Sequence, residues 1–392
     1  MGVAGSDVAA APAVRARSVA IDALRGAVMV LMALDHARDF FADGFTHSPT
    51  DLATTTPLLF ATRWVTHFCA PVFVFLAGAA AWLHRAKNGP AATTRFLWTR
   101  GLWLVFLELT AMRLGWSPEP YWRFTLLQVI WAVGWSMVAL AGLSRLPRAA
   151  VGAFGVAIVA GHNALDGVAP ARFGGAAWLW RILHEGGRLE PFAGHRLYVA
   201  YPLLPWIGVL CTGFAFGAVL QLSAAERQRR TVILGLGLVA AFVALRLWNH
   251  YGDPVPWSVQ PRGALFTAMS FVNCDKYPPS LLYTLMTLGP ALCALALLDR
   301  APPSRTITAL ATFGSVPLFY YFMHLVVLRW TSAAISFARF GRHALEPPML
   351  RTGLGLGSAY AAWLLVVLAL YPACRWFAGV KARRTVWWMG YL

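Results

Sequence analysis

Ten stretches of about twenty apolar residues most constrain what this chain can fold into. Water is absent from the hydrocarbon layer of a membrane, so a segment crossing it must satisfy every backbone N–H and C=O internally, and a helix of about twenty residues does so. The stretches run approximately over 20–41, 56–83, 96–112, 124–143, 149–161, 197–220, 231–248, 278–298, 308–334 and 354–375. The fifth is the shortest. Of the 392 residues, 58% are hydrophobic and only 12% charged, about half the charged share of an ordinary soluble domain. The expected fold class is therefore all-α: a polytopic integral membrane protein of about ten transmembrane helices with no sizeable soluble domain.

The net charge of +17 would suit a nucleic-acid partner if the basic residues formed a stripe or patch, but they fall in short clusters between apolar runs. Alternate loops differ in the way the positive-inside rule predicts. One set, together with both termini, carries seventeen Lys and Arg, including Arg15, Arg17, Arg85, Lys87, Arg227, Arg229, Arg230, Arg300 and Arg305. The other carries eleven, along with most of the acids, among them Asp43, Asp51, Glu119, Asp166, Glu185, Glu190, Asp253 and Asp275. The pattern places both termini in the cytoplasm, makes the cell membrane the expected location and leaves no role for nucleic acid. The long segments 162–196 and 249–277 then face outward, where loops of that length carry function. The expected organisation is a cytoplasmic tail over 1–18, a transmembrane domain over 19–376 and a second cytoplasmic tail over 377–392. Residues 1–18 contain no apolar stretch long enough for a cleaved leader, so the first span is expected to remain as an anchor. The five cysteines define no disulfide framework.

The first span carries the chemistry. It opens Asp22-Ala23-Leu24-Arg25-Gly26, continues through an apolar run to Leu34, and closes Asp35-His36-Ala37-Arg38-Asp39. Eleven helical steps bring His36 to within about 20° of Arg25 in projection and roughly 16 Å along the axis. Asp22, Met29, Met32 and Asp39 lie near the same stripe. The bland reading makes Arg25 a snorkelling anchor, Asp22 a helix cap and residues 35–39 a wet helix end. The functional reading makes the stripe one wall of a polar cavity, because ionisable groups inside spans are costly. His36 is then a general base, since imidazole takes and returns a proton near neutral pH, and Asp35 or Asp39 is expected to orient it.

Other polar residues interrupt apolar runs. His67 follows Arg63 near the start of the second span, Glu108 lies in the third and His324 in the ninth. Each suits either a cavity wall or a helix–helix hydrogen bond. The segment Asn273 to Ser280 joins Lys276 and Tyr277 to a Pro-Pro corner and would place an anionic or sugar substrate, or anchor the eighth span at the interface. His36, His47 and His67 have no recognised metal-ligand spacing, so no metal is expected. Neither a phosphate-binding Gly-rich loop nor a nucleophile elbow is present.

Ile21-Asp22-Ala23-Leu24-Arg25-Gly26, with ten residues between Arg25 and His36, resembles the Arg-x10-His signature of transmembrane acyltransferases. Four further blocks, His67 to Gly78, Tyr201 to Gly208, Lys276 to Leu282 and Val316 to Tyr321, look like the bacterial branch of the heparan-α-glucosaminide N-acetyltransferase-like family. The resemblance implies transfer of an acyl group from cytoplasmic acyl-CoA, acetyl-CoA foremost, to a carbohydrate-like acceptor, a sugar amine or hydroxyl, on the far side. It also implies a catalytic histidine. In the lysosomal member that histidine lies in the first outer loop and an Asn stands near the end of the first span. Here His36 takes the Asn-like place and His47 lies in the outer loop, so both are candidates.

On this reading Arg25 grips a phosphate or the pantetheine end of the donor, while His67, Lys276, Tyr277 and His324 bind the acceptor. Both direct attack and an acyl-histidine route remain open. The expected partners are membrane lipids, acyl-CoA and the acceptor, with a homo-oligomer left open. The alternative from another class is a small-molecule or lipid transporter using the same stripe.

Overall fold

The computed structural model describes residues 12–42, 48–116, 123–341, 352 and 354–383. Fourteen α-helices occupy most of this length: α1 (Pro12–Phe41), α2 (Pro57–Thr66), α3 (Cys69–Leu109), α4 (Arg113–Trp116), α5 (Val129–Leu143), α6 (Arg148–Gly161), α7 (Ala177–Trp180), α8 (Leu203–Phe216), α9 (Ala224–Trp248), α10 (Ala264–Val272), α11 (Leu281–Arg300), α12 (Arg305–Ser315), α13 (Pro317–Phe340) and α14 (Leu356–Arg383). Among the described residues, seven helical stretches are long and apolar enough to cross a membrane, and α5 is a shorter apolar helix. The protein is an all-α polytopic membrane protein.

The helices begin and break where local chemistry dictates. Thr56 caps α2 by accepting from the Leu59 N–H, with Pro57 at the first helical position, and Ser280 and Ser304 cap α11 and α12 in the same way. Gly89 adopts φ 81° just before Pro90 and kinks α3, so its two arms correspond to the second and third expected spans. The expected ninth span is divided instead. The backbone turns at Val316, and Pro317, which lacks an N–H to continue α12, starts α13.

Two expected spans also begin later than their apolar runs. Phe124–Leu127 and His195–Val199 form strands β1 and β3, which pair in parallel, and β2 (Gly187–Phe192) adds antiparallel to β3. Such short apolar runs suit strand and helix equally. At the other end, α1 starts at Pro12, which leaves Asp22 well inside the helix and excludes it as the cap. Likewise, α14 runs on to Arg383, past the expected end of the transmembrane domain.

The closest helix crossing fixes α1. A methyl group on Gly26 would lie 1.8 Å from the Leu310 carbonyl oxygen, and one on Gly314 would lie 1.8 Å from the Asp22 carbonyl oxygen. Only two glycines let the α1 and α12 backbones approach so closely, as small residues do throughout membrane bundles. Elsewhere Trp206, Phe214, Tyr283 and Tyr320 are fully buried, while Leu297, Leu365, Leu368 and Trp376 point outward and suit lipid.

Candidate active site

The far end of α1 brings together residues from five parts of the chain. The Nδ1 of His36 lies 2.8 Å from Nε2 of His324, and Nδ1 of His324 lies 2.7 Å from the Tyr320 carbonyl oxygen. These distances assign the protons. A carbonyl only accepts, so His324 donates from Nδ1 and, as a neutral imidazole, keeps its lone pair on Nε2. His36 must then donate from Nδ1, which leaves Nε2 of His36 as the basic nitrogen. The two rings lie nearly coplanar and edge to edge, with centroids 5.0 Å apart, and Trp116 is edge-on to His36 at 4.9 Å and Tyr321 at 5.9 Å.

The carboxylates do not orient His36 as expected. Asp35 accepts from Arg63 at 2.8 and 2.6 Å and from the Thr66 hydroxyl at 2.8 Å. It also pairs with Arg38 at 2.9 Å and lies 3.9 Å from the Lys276 ammonium. Asp39 pairs with Arg38. The reason is competitive: a buried carboxylate gains more from cationic donors than from a neutral imidazole. Among the described residues three cations, Arg38, Arg63 and Lys276, surround two carboxylates, so these five groups carry one net positive charge while the histidines are neutral.

Lys276 and Tyr277 reach this cluster on a segment held from below. Oδ2 of Asp253 accepts from the Asp275 N–H at 2.9 Å and from the Ser280 hydroxyl at 2.7 Å. Burial raises the carboxyls of Asp253 and Asp275 above their ordinary value. Desolvation also pushes the Tyr277 phenol up, but Lys276 and Arg63 outweigh it and hold the group below its usual value. The Tyr277 hydroxyl lies 3.5 Å from Arg63. His67 sits at the junction of α2 and α3, its ring edge-on to Tyr283 at 5.3 Å, and its carbonyl accepts from the Tyr283 hydroxyl at 2.7 Å. Its buried Nδ1 has no hydrogen-bond partner among the described residues. His47 lies outside the described residues.

Arg25 occupies the other end of the stripe. Its Nη1 donates to Asp22 at 2.9 Å and to the Gly314 carbonyl at 3.0 Å, and among the described residues Nε and Nη2 are uncommitted. The residue lines a cleft of about 160 Å³ with Asp22, Leu76, Ala79, Ala80 and Leu83. Between this cleft and His36 the stripe is filled by buried Met29 and Met32.

The family model described as heparan-alpha-glucosaminide N-acetyltransferase, catalytic, matches residues 17–245, more than half of the chain. The chain belongs to this family. No curated protein matches the chain. Arg25, Asp35, His36, Arg63 and His67 lie inside the matched segment of this heparan-α-glucosaminide N-acetyltransferase family member, whereas Lys276, Tyr277 and His324 lie beyond it. Membership makes the chain a membrane protein of acetyltransferase type. Trp116 and Tyr321 flank His36, Arg63 and Thr66 bond to the neighbouring Asp35, and Tyr283 packs on His67. Arg63, Thr66, Trp116, Tyr283 and Tyr321 did not stand out as site residues in the sequence, where an Arg at the head of a span reads as an interface anchor and a lone aromatic in a span reads as packing.

Proposed function

We propose that this family member transfers an acetyl or other acyl group from acyl-CoA, bound at the Arg25 end of α1, to a sugar amine or hydroxyl at the His36 end. The observation that carries this reading is the His36–His324 pair anchored on the Tyr320 carbonyl, because it leaves one basic nitrogen in a fixed direction. The uncommitted donors of Arg25 suit a phosphate or the polar end of pantetheine. A cleft of about 160 Å³ is smaller than the roughly 300–1,000 Å³ that encloses a drug-sized ligand, so it takes one end of the donor and leaves the nucleotide outside. The extended thioester arm then follows the stripe, with the flexible side chains of Met29 and Met32 giving way.

At the far end, Nε2 of His36 removes the acceptor proton as the amine or hydroxyl attacks the thioester carbonyl. The net positive charge of Arg38, Arg63 and Lys276 favours the oxyanion that forms. Collapse breaks the C–S bond, and the imidazolium returns its proton to the departing thiolate. His67, Lys276 and Tyr277 border the space for the acceptor.

The test is purified protein in lipid nanodiscs supplied with acetyl-labelled acetyl-CoA and a panel of amino and neutral sugars. Label should pass to an acceptor, and Arg25→Lys should weaken apparent donor affinity several-fold while the protein stays folded. Transport of solute across a vesicle membrane with neither transfer nor donor hydrolysis would replace this reading with the transporter.

A further inference from the structure

A second polar cluster lies behind the segment that carries Lys276 and Tyr277 and takes no part in the chemistry above. His162 caps the C-terminus of α6, Asp166 follows one turn later, and His184 sits in the π-helical turn Arg181–Glu185. Each offers a ligand atom within 4.8 Å of the other two. Both histidines are only 2% exposed. Nε2 of His184 lies 3.5 Å from Oδ1 of Asp166, and Asn163 steadies that carboxylate by donating to Oδ2 at 2.8 Å. Trp180 stacks on His184 at 5.0 Å.

The independent sign of a ligand is His162. Among the described residues neither of its buried ring nitrogens makes a well-formed hydrogen bond, and the Pro279 carbonyl offers the ring no more than one marginal acceptor. An imidazole has both a donor and an acceptor to satisfy, and leaving a buried polar group unpaired costs about 1–3 kcal/mol. Packing alone gives no reason to bury a histidine this way.

We propose that His162, Asp166 and His184 bind a zinc ion, with a fourth position left to water. Two imidazoles and one carboxylate suit a borderline divalent cation, whereas magnesium and calcium prefer all-oxygen sites. Ligand atoms around tetrahedral zinc lie roughly 3.4 Å apart, so the cluster closes by about 1 Å on binding. Nε2 of His184 is now 2.9 Å from the His162 carbonyl, a bond that requires Nε2–H. Coordination through that nitrogen requires its lone pair, so the metal and this hydrogen bond are alternatives. Oδ1 of Asn163 accepts from the Leu281 N–H at 2.8 Å, which links the cluster to the start of α11 and to the segment holding Lys276.

The experiment is zinc titration of the tag-free full chain in detergent after chelator treatment, read by calorimetry and by metal content, with magnesium as control. The expected result is one zinc per chain, no magnesium, and at least tenfold weaker zinc binding in Asp166→Asn. Asp166 is exposed, so that variant keeps the fold. His162→Gln combined with Asp166→Asn should abolish the site. Absence of zinc binding by the folded chain, or unchanged affinity in the folded Asp166→Asn protein, would overturn the assignment.

Discussion

Two buried arrangements of aspartate with arginine are built differently in this protein. Arg227 and Asp299 form a closed pair, Nε to Oδ2 at 2.8 Å and Nη2 to Oδ1 at 2.9 Å, while Nη1 of Arg227 donates to the Leu222 carbonyl. One charge meets one charge, and the pair ties α9 to α11. The cluster around Asp35 is unbalanced among the described residues, because Arg38, Arg63 and Lys276 share Asp35 and Asp39. A balanced pair between helices is a fastener. Unbalanced charge beside a histidine of fixed tautomer is costly to bury and is retained where an anion or a developing negative charge arrives.

Asp35→Asn against Asp299→Asn is the sharpest way to break that comparison. Removing one partner of a buried ion pair costs about 3–5 kcal/mol, so both variants should lose thermal stability and yield. Asp35→Asn should also lose at least tenfold in transfer per folded molecule, whereas Asp299→Asn should keep near-normal turnover in whatever folds. Equal turnover per folded molecule would make the Asp35 cluster another fastener.

The next effect is purely one of packing. Gly314→Ala puts a methyl group against the Asp22 carbonyl and must spread α1 from α12, at a cost of about 1–3 kcal/mol. Because Arg25 donates to the Gly314 carbonyl, donor affinity should fall along with the melting temperature. A variant with unchanged stability would show that the crossing is looser than described.

Tyr277→Phe should have the smallest effect, less than about tenfold at neutral pH, because the hydrogen bond it removes, from Arg63, is long at 3.5 Å. Its signature is in the pH profile. The Tyr277 phenol is held below its ordinary value by Lys276 and Arg63 despite desolvation, and its deprotonation at alkaline pH cancels the excess positive charge. Transfer should therefore decline as pH rises through that titration, and Tyr277→Phe should lose that alkaline limb. An unchanged alkaline limb would remove Tyr277 from the charge cluster.

Much of this architecture was legible in order along the chain. Apolar runs mark the helices, and Pro90 and Pro317 stand where α3 kinks and α13 begins. The polar stripe of α1 followed from helical geometry alone. Partners distant in sequence were not legible. His324 stood out only as a histidine in an apolar run, and nothing local joins it to His36, 288 positions away. Asp35 was expected to serve its sequence neighbour His36, but folding brings Arg63 and Lys276 to it from two other segments. Strands β1 and β3 were concealed because four or five residues carry no decisive period. His162, Asp166 and His184 escaped notice because their spacing matches no metal motif, the third ligand arriving from a separate turn.

His36, its tautomer set by His324, is the proposed base. The most direct measurement is acetyl transfer by His36→Ala and His47→Ala in parallel, each shown to insert and to bind acetyl-CoA. A positioned base contributes on the order of 10²- to 10⁴-fold in rate, so His36→Ala should lose at least about 100-fold with donor binding retained, and His47→Ala should stay active. Loss of transfer in His47→Ala, with His36→Ala largely intact, would contradict the account and move the base to the first outer loop.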